Sequence, residues 1–245
     1  MSEKWWNDTP NWSVGCSGKD CSAFLRCWAA RMAWRHAKNP KAPERYHAPG
    51  LLNSDRHWTG KVVFDRQAMI DAFDSMKPGK IHACGFMTDL FDDNASLESL
   101  RFLAVEIGQR RDIGTVVFTT KQPENLLKWQ QTFFPNGLPP NVMSLLSICT
   151  QEEADRKIHV FLQVKGRIGL HCEPMLEALN LSMYIEEMEY REIEWLACGP
   201  ENGHHKRPFN IEWARDLRRQ CRAAGVRFFF KPGLLDGEAN EGISQ

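Results

Sequence analysis

From about residue 80 to residue 231 the chain alternates short apolar runs with longer amphipathic segments, and this alternation restricts the fold more than any other feature. The runs are 80–87 (KIHACGFM), 115–120 (TVVFTT), 141–149 (NVMSLLSIC), 167–172 (RIGLHC), 193–198 (IEWLAC) and 226–231 (VRFFFK). Each has the length of a strand, and each is nearly continuous in apolar character, as strands covered on both faces are. Helices are expected between them at 66–76, 96–111, 123–133, 151–161 and 211–224, with Pro123 at a first-turn position where its missing N–H does no harm. A short extended piece at 61–64 precedes the first of these helices, and another short strand ends near Val14. Strand–helix–strand units of this kind build parallel sheets. Counting from Val14 gives about seven strands, so the expected architecture is α/β, a complete or partial (β/α) TIM-like barrel rather than an open doubly wound sheet. No Gly-x-Gly-x-x-Gly or Walker loop occurs, which argues against dinucleotide and P-loop chemistry.

The 245 residues fit one such domain, with a polar tail at 233–245 expected to be flexible and a Pro- and Gly-bearing excursion at 38–60, the longest unstructured piece, that either folds over a site or is a surface insertion. Lys+Arg and Asp+Glu are equal at 31 each, so the strong overall field of a non-specific nucleic-acid binder is missing. Local basic grooves are conceivable around Lys206-Arg207 and along 215–222. No apolar run is long enough to span a bilayer, and the N-terminus lacks a secretory apolar core. Eight cysteines without a signal peptide read as reduced thiols in a cytoplasmic protein.

Three of those cysteines, Cys16, Cys21 and Cys27, fall within one short loop. Three thiolates are one ligand short of a closed zinc or iron site, and an incomplete set is what open-site chemistry requires. The reading preferred here is that they hold three irons of a [4Fe–4S] cluster and leave the fourth iron to S-adenosylmethionine. A structural zinc knuckle completed by a nearby histidine and a set of unligated core thiols are the alternatives. Cys27 is expected in the opening turn of a helix over 24–37, where free N–H groups favour thiolate charge. Trp5, Trp6, Trp12 and Trp28 crowd this stretch, either as a lid or as the packing of an N-terminal arm. Cys84, Cys149, Cys172, Cys198 and Cys221 are scattered, and packing is their default role.

In a barrel of parallel strands the site lies at the strands' carboxyl ends. Those ends here are Cys16, Thr88-Asp89, Thr120-Lys121, Cys149-Thr150, Glu173, Gly199 with Glu201, and Lys231. Asp89 and Glu173 are suited to accept from the amino group or ribose of a bound S-adenosylmethionine. Otherwise Asp89 caps a helix and Glu173 pairs with Lys121 or Lys231 across the mouth. Thr120 and Lys121 suit a carboxylate or phosphate. His204-His205-Lys206-Arg207-Pro208 offers an anion site after the sixth strand.

Landmarks along nearly the whole chain resemble a phage-associated, radical-SAM-like family of uncharacterised function, whose genes often neighbour a three-Cys-motif partner protein. They are Val14-Gly15-Cys16 with Cys27-Trp28-Ala29, Thr59-Gly60-Lys61-Val62, Met87-Thr88-Asp89-Leu90-Phe91 and Thr119-Thr120-Lys121-Gln122-Pro123-Glu124. Gln151-Glu152-Glu153-Ala154-Asp155-Arg156, Cys172-Glu173-Pro174 and the closing run from Trp213 to Lys231 complete the set. The resemblance implies a partial TIM barrel carrying one [4Fe–4S] cluster and S-adenosylmethionine. It further implies a flavodoxin- or ferredoxin-type electron donor, and a nucleobase or nucleic acid is an attractive substrate. Two departures stand out. The usual spacing is C-x3-C-x2-C, whereas the gaps here hold four and five residues. A Gly-Gly-Glu-Ser run is replaced by Cys198-Gly199-Pro200-Glu201-Asn202, where Pro200 removes a backbone donor. The rival from another class is a zinc-stabilised, non-catalytic phage module that binds nucleic acid or protein.

Overall fold

The computed structural model describes residues 3–185, 193–202 and 206–244. In chain order its elements are β1 (Ser13–Val14), α1 (Trp28–Ala37), β2 (Val63–Phe64), α2 (Arg66–Ser75), β3 (Ile81–Cys84) and α3 (Leu97–Gln109). There follow β4 (Thr115–Thr120), α4 (Pro123–Phe133), β5 (Val142–Ser147), α5 (Gln151–Phe161) and β6 (Arg167–Cys172). The last are α6 (Ser182–Ile185), β7 (Ile193–Cys198), α7 (Ile211–Ala223) and β8 (Arg227–Phe230). Local chemistry sets several of the helix starts. Asp65, Ser96, Thr150 and Asn210 each accept from a backbone N–H of the turn they cap.

β3 to β8 form one parallel sheet in sequential order, and β3 does not pair with β8. Ala83, Val117, Met143, Leu145, Trp195, Ala197 and Phe229, from five of the strands, nevertheless meet in one buried cluster, so the sheet curls around its inner face. Space there is short. A Cβ on Gly169 would lie within 3 Å of the Trp195 carbonyl and of the Leu145 and Met143 side chains. The outer face packs against the helices in a larger core around Phe118, Leu146, Ile158 and Leu217. The barrel is therefore partial.

Three expectations change. The Val14 strand is not part of this sheet: β1 pairs antiparallel with β2. The N-terminal segment does run parallel beside β3, through isolated bridges Asp8–His82 and Gly15–Thr88, but Pro10 has no N–H with which to continue a ladder. The 38–60 excursion is a packed cap. Its Tyr46, Leu51 and Trp58 are buried against Ala29, Ala30 and Ala33 of α1, because the apolar residues spaced along it have one small core to share. The tail expected to fray instead lines the β8 edge. Glu241 N donates to Phe228 O at 3.1 Å, Phe230 N donates to Asn240 Oδ1 at 2.6 Å, and Ile243 is buried beneath Trp195 and Phe229. With the N-terminal arm on β3 and the tail on β8, both edges of the open sheet are covered. No helix among the described residues is long and apolar enough to cross a membrane.

Candidate functional site

A cavity of about 450 Å³ opens at the carboxyl ends of the strands, and Cys16, Cys21 and Cys27 all line it. All three are free and half-buried. Gly15 sets the first of them. Its φ of 111° suits glycine, and a Cβ there would meet the Lys61 carbonyl at 1.9 Å. Burial, with Asp89 and Asp92 nearby, holds the Cys16 thiol well above its ordinary pKa, while the Gly18 N–H points at its sulfur at 3.3 Å. Burial likewise raises Cys21. Cys27 ends a 3-10 turn (Phe24–Arg26) and immediately precedes α1, close to the opening-turn position expected.

The cysteine loop is fastened to the barrel by carboxylates. Asp92 accepts from Ser17 N and Oγ at 2.7 and 2.8 Å. Glu153, at the start of α5, accepts from Ser22 N and Oγ at 2.9 and 2.7 Å and from Cys149 N at 2.6 Å. Lys157 donates to Asp20 O and Arg156 pairs with Asp20. The QEEADR landmark thus includes Glu153 and Arg156, and Asp92 directly follows the MTDLF landmark, a positioning role that sequence alone did not reveal. Burial works to raise the Glu153 pKa, but its hydrogen bonds and Lys157 hold it below the ordinary value. A depressed carboxylate stabilises at neutral pH, and its contribution is lost only as pH falls through its folded pKa, beneath the usual carboxylate range. Glu153→Ala removes three hydrogen bonds to a charged group, a loss of about 2 kcal/mol or more. Alkylation of Cys21 and Cys27 is then expected to run roughly 30-fold faster, because local opening governs access.

Of the residues expected at the strand ends, Asp89, Lys121, Glu173, Glu201 and Lys231 line the same cavity. Asp89 is buried and accepts from Thr120 Oγ1 at 2.8 Å, Lys121 N at 2.7 Å and Phe91 N at 3.0 Å. Burial nonetheless raises its pKa. Thr120 does not line the cavity: its hydroxyl is committed to Asp89 and to the Gln122 N–H, which corrects its expected role toward a carboxylate or phosphate. Lys121 has no hydrogen-bonded partner for its ammonium among the described residues. Burial opposes its charge, but Cys21, Cys149, Asp89 and Cys16 raise its pKa overall.

Glu173 pairs with Lys231 across the mouth, the simpler of the two roles weighed for it. Burial lowers Lys231 to about 8. His171, missed in the sequence, joins this pair: its Nε2 lies 3.3 Å from Glu173 Oε2 and its Nδ1 3.2 Å from Ser147 Oγ. Burial, then Lys231 and Lys121, lower His171 to about 3, so the ring is neutral. A neutral ring has one N–H, and the carboxylate is its natural acceptor, leaving Nδ1 to accept from Ser147. Parallel register had already set Ser147 beside His171. Glu201 is clamped by Arg207 through Nη2 at 2.7 Å and Nε at 3.1 Å, so Glu201 lines the cavity with its charge satisfied. Arg207 is thereby occupied, and His204 and His205 lie outside the described residues. Trp5 is buried against Trp195 and Trp12 against Phe73, so these two serve packing, while Trp6 and Trp28 line the cavity. Cys84, Cys149, Cys172, Cys198 and Cys221 are buried, as packing requires.

Among the described residues no three His, Cys, Asp or Glu side chains converge on a point that could hold a single metal ion. Thiolates are the ligands of iron–sulfur clusters, each on a different iron, so the three free thiols along the cavity are a donor set of that chemistry.

Spore photoproduct lyase has a similar fold. Its structure with bound AdoMet and dinucleoside spore photoproduct has a TM-score of 0.50 and 10% identity, covering 91% of this chain and 75% of that one. A second, complexed with the dinucleoside spore photoproduct, has a TM-score of 0.49 and 10% identity, over 89% and 74% of the two chains. The likeness is one of fold. By sequence, residues 2–236 match the model of DUF5131, proteins of unknown function, and the chain belongs to that family. No curated protein matches it.

Proposed function

We propose that the protein is a radical S-adenosylmethionine enzyme in which Cys16, Cys21 and Cys27 hold a [4Fe–4S] cluster. The observation that carries the reading is the placement of three free thiols, on a loop pinned by Asp92 and Glu153, along one cavity at the mouth of a parallel half-barrel. The likeness of fold to spore photoproduct lyase, in a structure that holds AdoMet, supports it. Held by Cys16, Cys21 and Cys27, such a cluster would supply one-electron reduction of the S-adenosylmethionine sulfonium and, through it, hydrogen-atom abstraction from a substrate.

The chain's own residues bind and orient. Asp89, its carboxylate fixed by three donors, has lone-pair capacity left for an ammonium group. Lys121 supplies the matching cation for a carboxylate. Glu173, Lys231, His171 and Ser147 present a hydrogen-bonded array along the cavity for a polar substrate group. The apolar and aromatic walls exclude water from a reactive radical. The electron comes from a flavodoxin- or ferredoxin-type donor.

The test is reductive cleavage. Anaerobically reconstituted protein with dithionite and S-adenosylmethionine is expected to yield 5′-deoxyadenosine and methionine in equal amounts. Protein that carries zinc, unfolds on chelation and cleaves nothing would establish the non-catalytic zinc module instead.

A further inference from the structure

The charge of this chain is divided in space. Residues 19–61, which comprise most of the cysteine loop, α1 and the cap, carry nine Lys and Arg against three Asp and Glu, a net +6 in a chain whose total is zero. The grooves that the sequence alone offered are neutralised: Arg215, Arg218 and Arg222 pair with Asp236 or Glu238, Arg219 with Asp216, and Arg207 with Glu201. Of the nine, Lys19, Arg26 and Arg45 pair with Asp93, Glu201 and Asp65, but the charges along the outer part of α1 are not compensated. Among the described residues Arg31, Arg35, Lys38 and Arg56 have no carboxylate partner. Arg31 donates to the Asn202 carbonyl, beside the cavity mouth. Lys38 Nζ and Arg56 Cζ sit 3.7 and 4.0 Å from the centre of the Trp34 ring, which holds both cations in place without cancelling them.

Arg31, Arg35 and Lys38 follow one another at helical spacings of four and three, so they form a stripe along α1 that leads away from the mouth. The stripe is roughly 10 Å long, about three stacked nucleotides. At its inner end Trp28, an exposed aromatic, and Trp6 and Phe86, which stack edge to face, line the cavity. A row of guanidinium and ammonium groups that runs into aromatic planes is the arrangement that receives phosphates followed by a base. An acidic protein would satisfy the charges but not the continuity with an aromatic cavity that admits a single ring and no duplex.

We propose that the exposed face of α1, with Arg56, tracks the backbone of a single-stranded nucleic acid, one base of which enters the cavity. This rests on reading the cavity as a substrate site. The test is fluorescence anisotropy with fluorescein-labelled 12-nucleotide single strands of DNA and of RNA, using the cluster-loaded full chain. Four phosphate contacts give a log–log salt slope near −3, or about fifty-fold weaker binding at 200 mM than at 50 mM salt. R35Q/K38Q, on exposed residues away from the cavity, is expected to halve the slope, whereas R219Q/R222Q on the neutralised α7 face leaves it unchanged. No binding of either strand at 50 mM salt, equal effects of the two variants, or capture of an acidic electron-carrier protein by this face in place of the strand would overturn the proposal. Strand binding without S-adenosylmethionine cleavage would remove the radical reading alone; cleavage without strand binding would remove this one alone.

Discussion

Alanine at Cys16, Cys21 or Cys27 is expected to abolish iron incorporation and S-adenosylmethionine cleavage, each alone as completely as all three together. The expectation follows from the donor set: the three thiols are free and line one cavity, and a cluster deprived of one of three protein ligands is not retained. The three half-buried thiols contrast with the five fully buried ones. Cys84→Ala or Cys172→Ala removes a core sulfur and so lowers stability by roughly 1–2 kcal/mol while the iron content stays unchanged. Equal iron loss in both groups would mean that the loop holds no special place. The same variants separate a cluster from a zinc knuckle, because zinc completed by a fourth ligand would leave a coloured species absent throughout.

Asp89→Asn is expected to show the second-largest effect, on stability and on cofactor binding together. The carboxylate accepts from the Lys121 and Phe91 N–H groups and the Thr120 hydroxyl inside the protein. An amide sets its own N–H donors against some of these. Leaving buried donors unmatched costs about 3 kcal/mol, or roughly 6–12 °C in Tm for a domain of this size. Thermal unfolding measures the first effect; equilibrium dialysis with S-adenosylmethionine measures the second, for which a loss of at least tenfold is expected. Thr120→Val, which removes one donor but leaves the carboxylate, should reproduce a smaller part of the stability loss and little of the binding loss.

The barrel was legible because its strands are buried on both faces and its helices carry clear caps. Arg167–Cys172, Ile193–Cys198, Pro123–Phe133 and Gln151–Phe161 fall where the pattern of apolar residues puts them. The termini were not legible, since their polar composition hides two roles: the N-terminal arm bonds to β3 through Asp8, and the tail bonds to β8 through Asn240 and Glu241. Within the site, residues directly after apolar runs were visible as strand ends. Ser147 and His171 lie inside the runs, and only their polarity amid apolar neighbours marked them. Asp92 and Glu153 carried no sign of their role, because a contact spanning 131 residues from Ser22 to Glu153 leaves no local trace. The basic cap was concealed by the neutral total.

The central claim is that three thiols on the pinned loop hold an iron–sulfur cluster. Its most direct measure is the iron, sulfide and zinc content of anaerobically reconstituted protein, taken together with the visible spectrum. About four irons and four sulfides per chain, with a broad brown absorption that dithionite bleaches, are predicted. Colourless protein with one zinc and no sulfide would contradict it.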